Sequence, residues 1–446
     1  MAHNTLDNIG GVLGAAGDAI GLIGSLVDAL FPPAPPDEIN NFRLFAGLVR
    51  LEDPEKDTRS TGGNAPSLAV WDAIGGFVGQ STPQPDKKIE GGHFHDYSIE
   101  GGGGVDYLSV VQNGNDGICV SLITGQSAGD GPKYLWSGDM GKECGAPWYQ
   151  QRKIVGNIGN TGFAPACVWI DGNGDNGHNW QGFNFHLNSF HVATNTGDVN
   201  DTSSVAAAWT ANKDLLCKSE PRFSLYEDIK IGNQVRVFKK DPTTVADASS
   251  QEYADRTLKD ENWAWGDKPP TASLPTLNNG KGFKIACVED DCPPKGPSFN
   301  QNLKIAPETR RKLRPRKPSN LDHGVMRASI KKRQEIHADH LIISNMVPHS
   351  AAELCDSMTS LGPDFVSTNE MLFCDMSEKQ IWPVCTDPSG NYCFDMDTQT
   401  VRGSSTGLKT SDVPLYNNGT SFNGTHSLAQ HPSVPVKAYT TVNTWD

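Results

Sequence analysis

Residues 182–190 read GFNFHLNSF, and in them Phe183, Phe185 and Leu187 alternate with Asn184, His186 and Asn188. A period of two sends successive side chains to opposite faces of a strand, so the stretch predicts a strand with one buried face. Outward from it lie further β-branched and aromatic runs at 106–112, 117–124, 133–137, 166–171, 222–228 and 234–239, separated by clusters of Gly, Asn and Asp. Seven short strands joined by loops predict a β-rich fold, an antiparallel β-sandwich.

Composition agrees. The 446 residues include 46 Gly and 29 Pro, and 37% are hydrophobic, which favours turns and loops over long helices. At that length two folded units are expected. The sequence divides into an apolar glycine-striped segment with a Pro hinge (1–36), a β-rich domain with six Cys (37–300), a basic linker (301–333) and a small four-Cys α+β domain (334–446).

The net charge of −14 is unevenly spread, because 304–333 alone carries eleven Lys or Arg against Glu308 and Asp322. The rest of the chain is correspondingly acidic. It therefore repels nucleic acid, which is not expected as a partner. Within the basic segment, Arg310-Arg311 and Lys332-Arg333 resemble the dibasic sites cut by kexin-type secretory proteases, and neighbouring prolines keep the segment extended.

Ten cysteines split into Cys119, Cys144, Cys167, Cys217, Cys287 and Cys292 before that segment and Cys355, Cys374, Cys385 and Cys393 after it. Even counts on both sides predict closed disulfide sets, and no pair has the C-x2-C spacing of a zinc site. Sequons at Asn200, Asn418 and Asn423 lie in polar, turn-rich surroundings suited to glycosylation. Together these features predict a secreted, extracellular protein. Residues 1–7 lack the positive start of a signal peptide, so a signal is expected to have been removed ahead of them.

In the apolar stretch 8–31, Gly10, Gly14, Gly17, Gly21 and Gly24 are spaced alternately four and three apart, which forms one stripe on a helix. Each glycine costs a lone helix about 1 kcal/mol against Ala, so the stripe predicts close packing or self-association with another backbone. Insertion into a membrane is a second reading, opposed by Asp18 and Asp28. After the linker, 350–360 predicts a short helix, 371–374 and 380–384 predict strands, and the Ser/Thr/Asn/Gly-rich tail from about 398 predicts a mobile end.

Chemistry-bearing patterns are few. Asp171, Asn173 and Asp175 place oxygen ligands at alternate positions, as calcium requires, yet position six is Asn176 and position twelve Gly182, so the EF-hand pattern fails and an Asx-turn loop is the plainer reading. His93, His95 and Asp96 form a second cluster that His178, His186 and His191 would have to complete for zinc or copper. No P-loop appears, and no G-x-G-x-x-G leads from a strand into a helix. No cofactor is expected beyond calcium at the Asp171 loop. Trp136, Trp148, Trp169 and Trp180 offer faces for a glycan or cell-wall ligand unless they are core.

The segments DYLSVVQNGNDGICVSLI, YLWSGDMGKECGAPWY, CVWIDGNGDNG, LCDSMTSLGPDFVSTNEMLFCDM and IWPVCTDPSGNYCFDM resemble secreted, kexin-processed proteins of filamentous fungi. The resemblance implies a fungal, secreted, proteolytically processed glycoprotein and carries no catalytic residue across. The leading expectation is a non-enzymatic binding or interaction protein, a cell-surface component or effector. A membrane-active oligomerising toxin using 8–31 and a secreted hydrolase are the alternatives.

Overall fold

The computed structural model describes residues 30–49, 61–158, 161–174, 180–192, 202–231, 235–259, 261–263, 284–285, 337, 339–387, 392–403 and 437–446. Gly10, Gly14, Gly17, Gly21, Gly24, Asn200, Cys287, Cys292, Arg310, Arg311, Lys332, Arg333, Asn418 and Asn423 lie outside them. The described residues form two units, one within Asn8–Met326 and one within Arg327–Asp446.

The larger unit is β-rich and antiparallel. Its first six-stranded sheet runs Trp148–Tyr149, Cys167–Ile170, Ile118–Gln126, Ile39–Ala46, Phe94–Glu100, with Lys133–Ser137 also paired to Ile118–Gln126. Its second runs Lys284–Ile285, Phe223–Asp228, Gly182–His186, Tyr107–Val111, Ser67–Trp71, Phe77–Ser81. Side chains from both sheets merge in one core. Phe42, Leu44, Val120 and Val168 of the first meet Leu68, Val110, Phe183 and Phe185 of the second, and Trp136 stacks on Phe183 with centroids 4.6 Å apart.

The GFNFHLNSF stretch departs from expectation twice. Asn184 and His186 are buried along with Phe183 and Phe185, because Ile229, Ile231, Val235 and Val237 fold back over the second sheet's other face with Trp71, Tyr107 and Tyr226. The strand also stops at His186, and Leu187–Phe190 turns into a 3-10 helix. The register bond to the neighbouring strand continues one residue past the strand's end, and a side-chain bond joins it. Leu187 N donates to Asp106 O at 2.6 Å and Asn188 Nδ2 to Asp106 Oδ1 at 2.7 Å.

Strands Ile39–Ala46, Ser67–Trp71, Phe77–Ser81 and Phe94–Glu100 extend the β region N-terminally beyond the predicted set. Beyond Lys240, Gln251–Leu258 is a helix capped by the Ser250 hydroxyl, which accepts from Tyr253 N at 3.1 Å. Cys119–Cys167 and Cys144–Cys217 are bonded in this unit.

The smaller unit has a five-stranded sheet in the order Gln380–Pro383, Leu372–Asp375, Asp364–Ser367, His340–Ser344, Thr441–Trp445, flanked by the helix Ala351–Asp356. Cys355–Cys374 ties that helix to the sheet, and Cys385–Cys393 closes a short loop. The chain's end is not the mobile tail predicted. Thr441–Trp445 pairs in parallel with His340–Ser344, and Trp445 is fully buried against His349 and Phe365. Lys437 fastens the same return by bonding Asp364 at 2.7 Å and Asp375 at 2.6 Å.

Candidate functional site

The strand ends Trp71, Tyr107 and His186 are register partners in the second sheet, so Asp72, Asp106 and His186 collect at one end of it. Asp241 reaches the same place from the 3-10 turn Pro242–Thr244, which follows the strand Arg236–Phe238. Phe238 holds that strand in position. Its ring sits edge-on to His186 at 5.1 Å and its N–H donates to the Tyr107 hydroxyl at 2.9 Å.

One ligand-type atom from each of Asp106, His186 and Asp241 lies within 4.8 Å of the other two. Among the described residues these three alone form such a group of His, Cys, Asp or Glu. Asp106 Oδ1 accepts from Asn188, and Asp241 Oδ1 accepts from Thr243 N at 2.8 Å and Thr243 Oγ1 at 2.6 Å. The His186 Nδ1 is 2.9 Å from Ser189 Oγ, whereas its Nε2 faces Asp241 Oδ2 at 4.0 Å, beyond a hydrogen bond.

Burial and neighbours set the charges. Burial pushes His186 down to about 4, with Arg222 adding to the effect and Asp241 opposing it. Burial raises Asp106 to about 6, and Asp241 and Asp72 push the same way. Arg222 is fully buried and donates to Ser189 Oγ at 3.2 Å, Tyr253 Oη at 3.1 Å, Thr257 Oγ1 at 3.2 Å and the Leu215 carbonyl. Its guanidinium is thereby fixed behind the imidazole.

Ser189, His186 and Asp241 share the residue types of a hydrolytic triad but not its wiring. A working triad hydrogen-bonds the base to the serine through one ring nitrogen and to the acid through the other. Here the acid contact is too long, the serine already accepts from a guanidinium, and a buried imidazole near 4 is a poor base at neutral pH. What remains is a neutral nitrogen facing two carboxylates, an arrangement that accepts a cation.

The residues singled out in the sequence fall elsewhere. Asp171 is buried and its Oδ1 accepts from Asn173 N at 3.3 Å, as an Asx turn does, while Asp175 lies outside the described residues. Asp96 pairs with Arg43 through both oxygens, at 2.6 and 2.8 Å. His95 stacks edge-on to Tyr97 at 4.7 Å, and burial lowers it below the usual histidine value. His93 is exposed. The structure thus leaves His95 on the first sheet's edge strand and His93 just before it, and puts His186 inside the second sheet, so they do not converge.

Trp136, Trp148 and Trp169 are core residues rather than open faces. The letters Gly125-Gln126-Ser127-Ala128-Gly129 match the G-x-S-x-G of a nucleophile elbow, yet they join two strands of a hairpin instead of a strand and a helix. Ser127 is buried, with its hydroxyl 3.0 Å from that of Tyr134. Asp106 and Asp241 were not identifiable as ligands in the sequence, because Asp106 opens a predicted strand and Asp241 caps its own local turn.

No family model matches this sequence, and no curated protein matches it. Solved structures that match include those of a lipoxygenase variant, Delta413-417:GS LOX, alone at 18% identity and in complex with arachidonate at 16%. Both have a TM-score of 0.18 and cover 22% of this chain and 14% of theirs, so they carry no argument about its fold or activity.

Proposed function

We propose that the protein is a secreted, disulfide-braced, non-enzymatic binding protein, glycosylated at its sequons and cut at its dibasic sites. The observation that supports the binding reading is the Ser189–His186–Asp241 geometry among the described residues, which has the residue types of a hydrolytic triad but lacks the base–acid hydrogen bond. Secretion is supported by the cysteines. Cys119–Cys167, Cys144–Cys217, Cys355–Cys374 and Cys385–Cys393 are all bridged, which requires an oxidising compartment. No helix among the described residues is long and apolar enough to cross a membrane.

The test pairs a substrate screen with a capture screen on protein purified from medium. Ester, peptide and glycoside substrates should show no turnover, while glycan arrays and fungal-wall pull-downs should report a retained ligand. Turnover that Ser189→Ala or Ser127→Ala abolishes would overturn the reading.

A further inference from the structure

We propose that Asp106, His186 and Asp241 form a binding site for one divalent first-row transition ion, zinc foremost. The inference deepens the binding reading by naming a ligand for its site.

Two observations carry it independently. The first is convergence: three ligand atoms from elements far apart in sequence lie within 4.8 Å of one another. A tetrahedral ion with bonds of about 2.0 to 2.1 Å needs its ligand atoms about 3.3 Å apart, so the 4.0 Å between His186 Nε2 and Asp241 Oδ2 closes with a small carboxylate rotation. The second is the imidazole itself. His186 is 1% exposed, its Nδ1 is held by Ser189, and its Nε2 has no hydrogen bond and is aimed at the carboxylates.

The surroundings match a liganded histidine. Metal-bound imidazoles hand their other N–H to a fixed acceptor, and Ser189 Oγ at 2.9 Å from Nδ1 is that acceptor. Because a hydroxyl can donate or accept, the tautomer is free to follow whatever Nε2 meets. Asn188 and Thr243 each hold one oxygen of Asp106 and Asp241, leaving the second for an ion. Asp72, Asp106 and Asp241 with Arg222 sum formally to −2, the charge a divalent ion neutralises. An imidazole among the donors selects zinc and its neighbours over calcium, which takes oxygen alone.

The experiment uses full-length protein stripped with chelator and dialysed, then titrated with Zn2+, Co2+ or Ca2+ by calorimetry and cobalt absorption. One Zn2+ or Co2+ per chain is expected, with cobalt ligand-field bands. Affinity should fall at least tenfold in His186→Gln, Asp106→Asn and Asp241→Asn, and about tenfold in Ser189→Ala, whereas His93→Gln with His95→Gln should bind as wild type does. Both Asn variants keep an oxygen for Asn188 or Thr243, so they carry the test if His186→Gln fails to fold. No stoichiometric uptake, uptake unchanged in the two Asn variants, or preference for Ca2+ over Zn2+ would overturn the proposal. Catalytic turnover would sink the non-enzymatic reading and leave this ion site standing, and failure to bind metal would do the reverse.

Discussion

Replacing Trp445 with Ala tests whether the chain's end belongs to the fold. The indole is fully buried, with ring centroids 5.1 Å from His349 and 5.7 Å from Phe365. A tryptophan buries about 150 to 250 Å², worth about 4 to 6 kcal/mol at about 25 cal/mol per Å². That is an upper figure, and Trp→Ala in a core costs about 3 to 5 kcal/mol. About 4 kcal/mol is expected, most of what holds a small unit folded. Urea unfolding of the full-length variant, followed by hydrogen exchange in His340–Ser344, reads the loss where Trp445 docks. Val442→Ala, at a position 36% exposed on the same strand, should change stability by less than about 0.5 kcal/mol. If Trp445→Ala costs no more than the Val442 control, the docked end is wrong and the tail is mobile after all.

Opening Cys119–Cys167 should cost more than opening Cys385–Cys393, because the loops span 48 and 8 residues and chain entropy gives about 4 against about 2.5 kcal/mol. Equal losses in denaturant midpoints of the paired Ser variants would contradict that ordering. Arg222→Met strands four acceptors and should lower the larger unit's stability by about 3 kcal/mol without moving the smaller unit's transition, as separate exchange probes would show. Burial pushes the Lys379 ammonium down to about 7 from 10.5, against the pull of Asp364 and Asp375. Between those values the unfolded chain holds the extra proton, so the smaller unit should gain stability as pH rises through that window. The advantage of wild type over Lys379→Met should grow across it, and a flat or falling difference in urea midpoints would refute the assignment.

What the sequence alone determined is local. The run 133–137 coincides with the strand Lys133–Ser137, and the run 182–190 begins the strand Gly182–His186, because side-chain alternation is a property of neighbours in the chain. The helix expected at 350–360 is there as Ala351–Asp356, started by the Ser350 hydroxyl on Glu353 N at 3.0 Å. For the eight described cysteines, pairing within their own side of the basic segment was legible in the counts, although not which joined which. Tertiary structure decided the rest. Ser67–Trp71 is buried on both faces and so shows no alternation, and Thr441–Trp445 is a short polar run that becomes a strand only when His340–Ser344 lies beside it. The candidate site is of that kind too. In sequence Asp106 only opens a strand run, His186 only alternates along another and Asp241 only caps a turn, and only the register of three strand ends and a returning 3-10 turn brings their ligand atoms together.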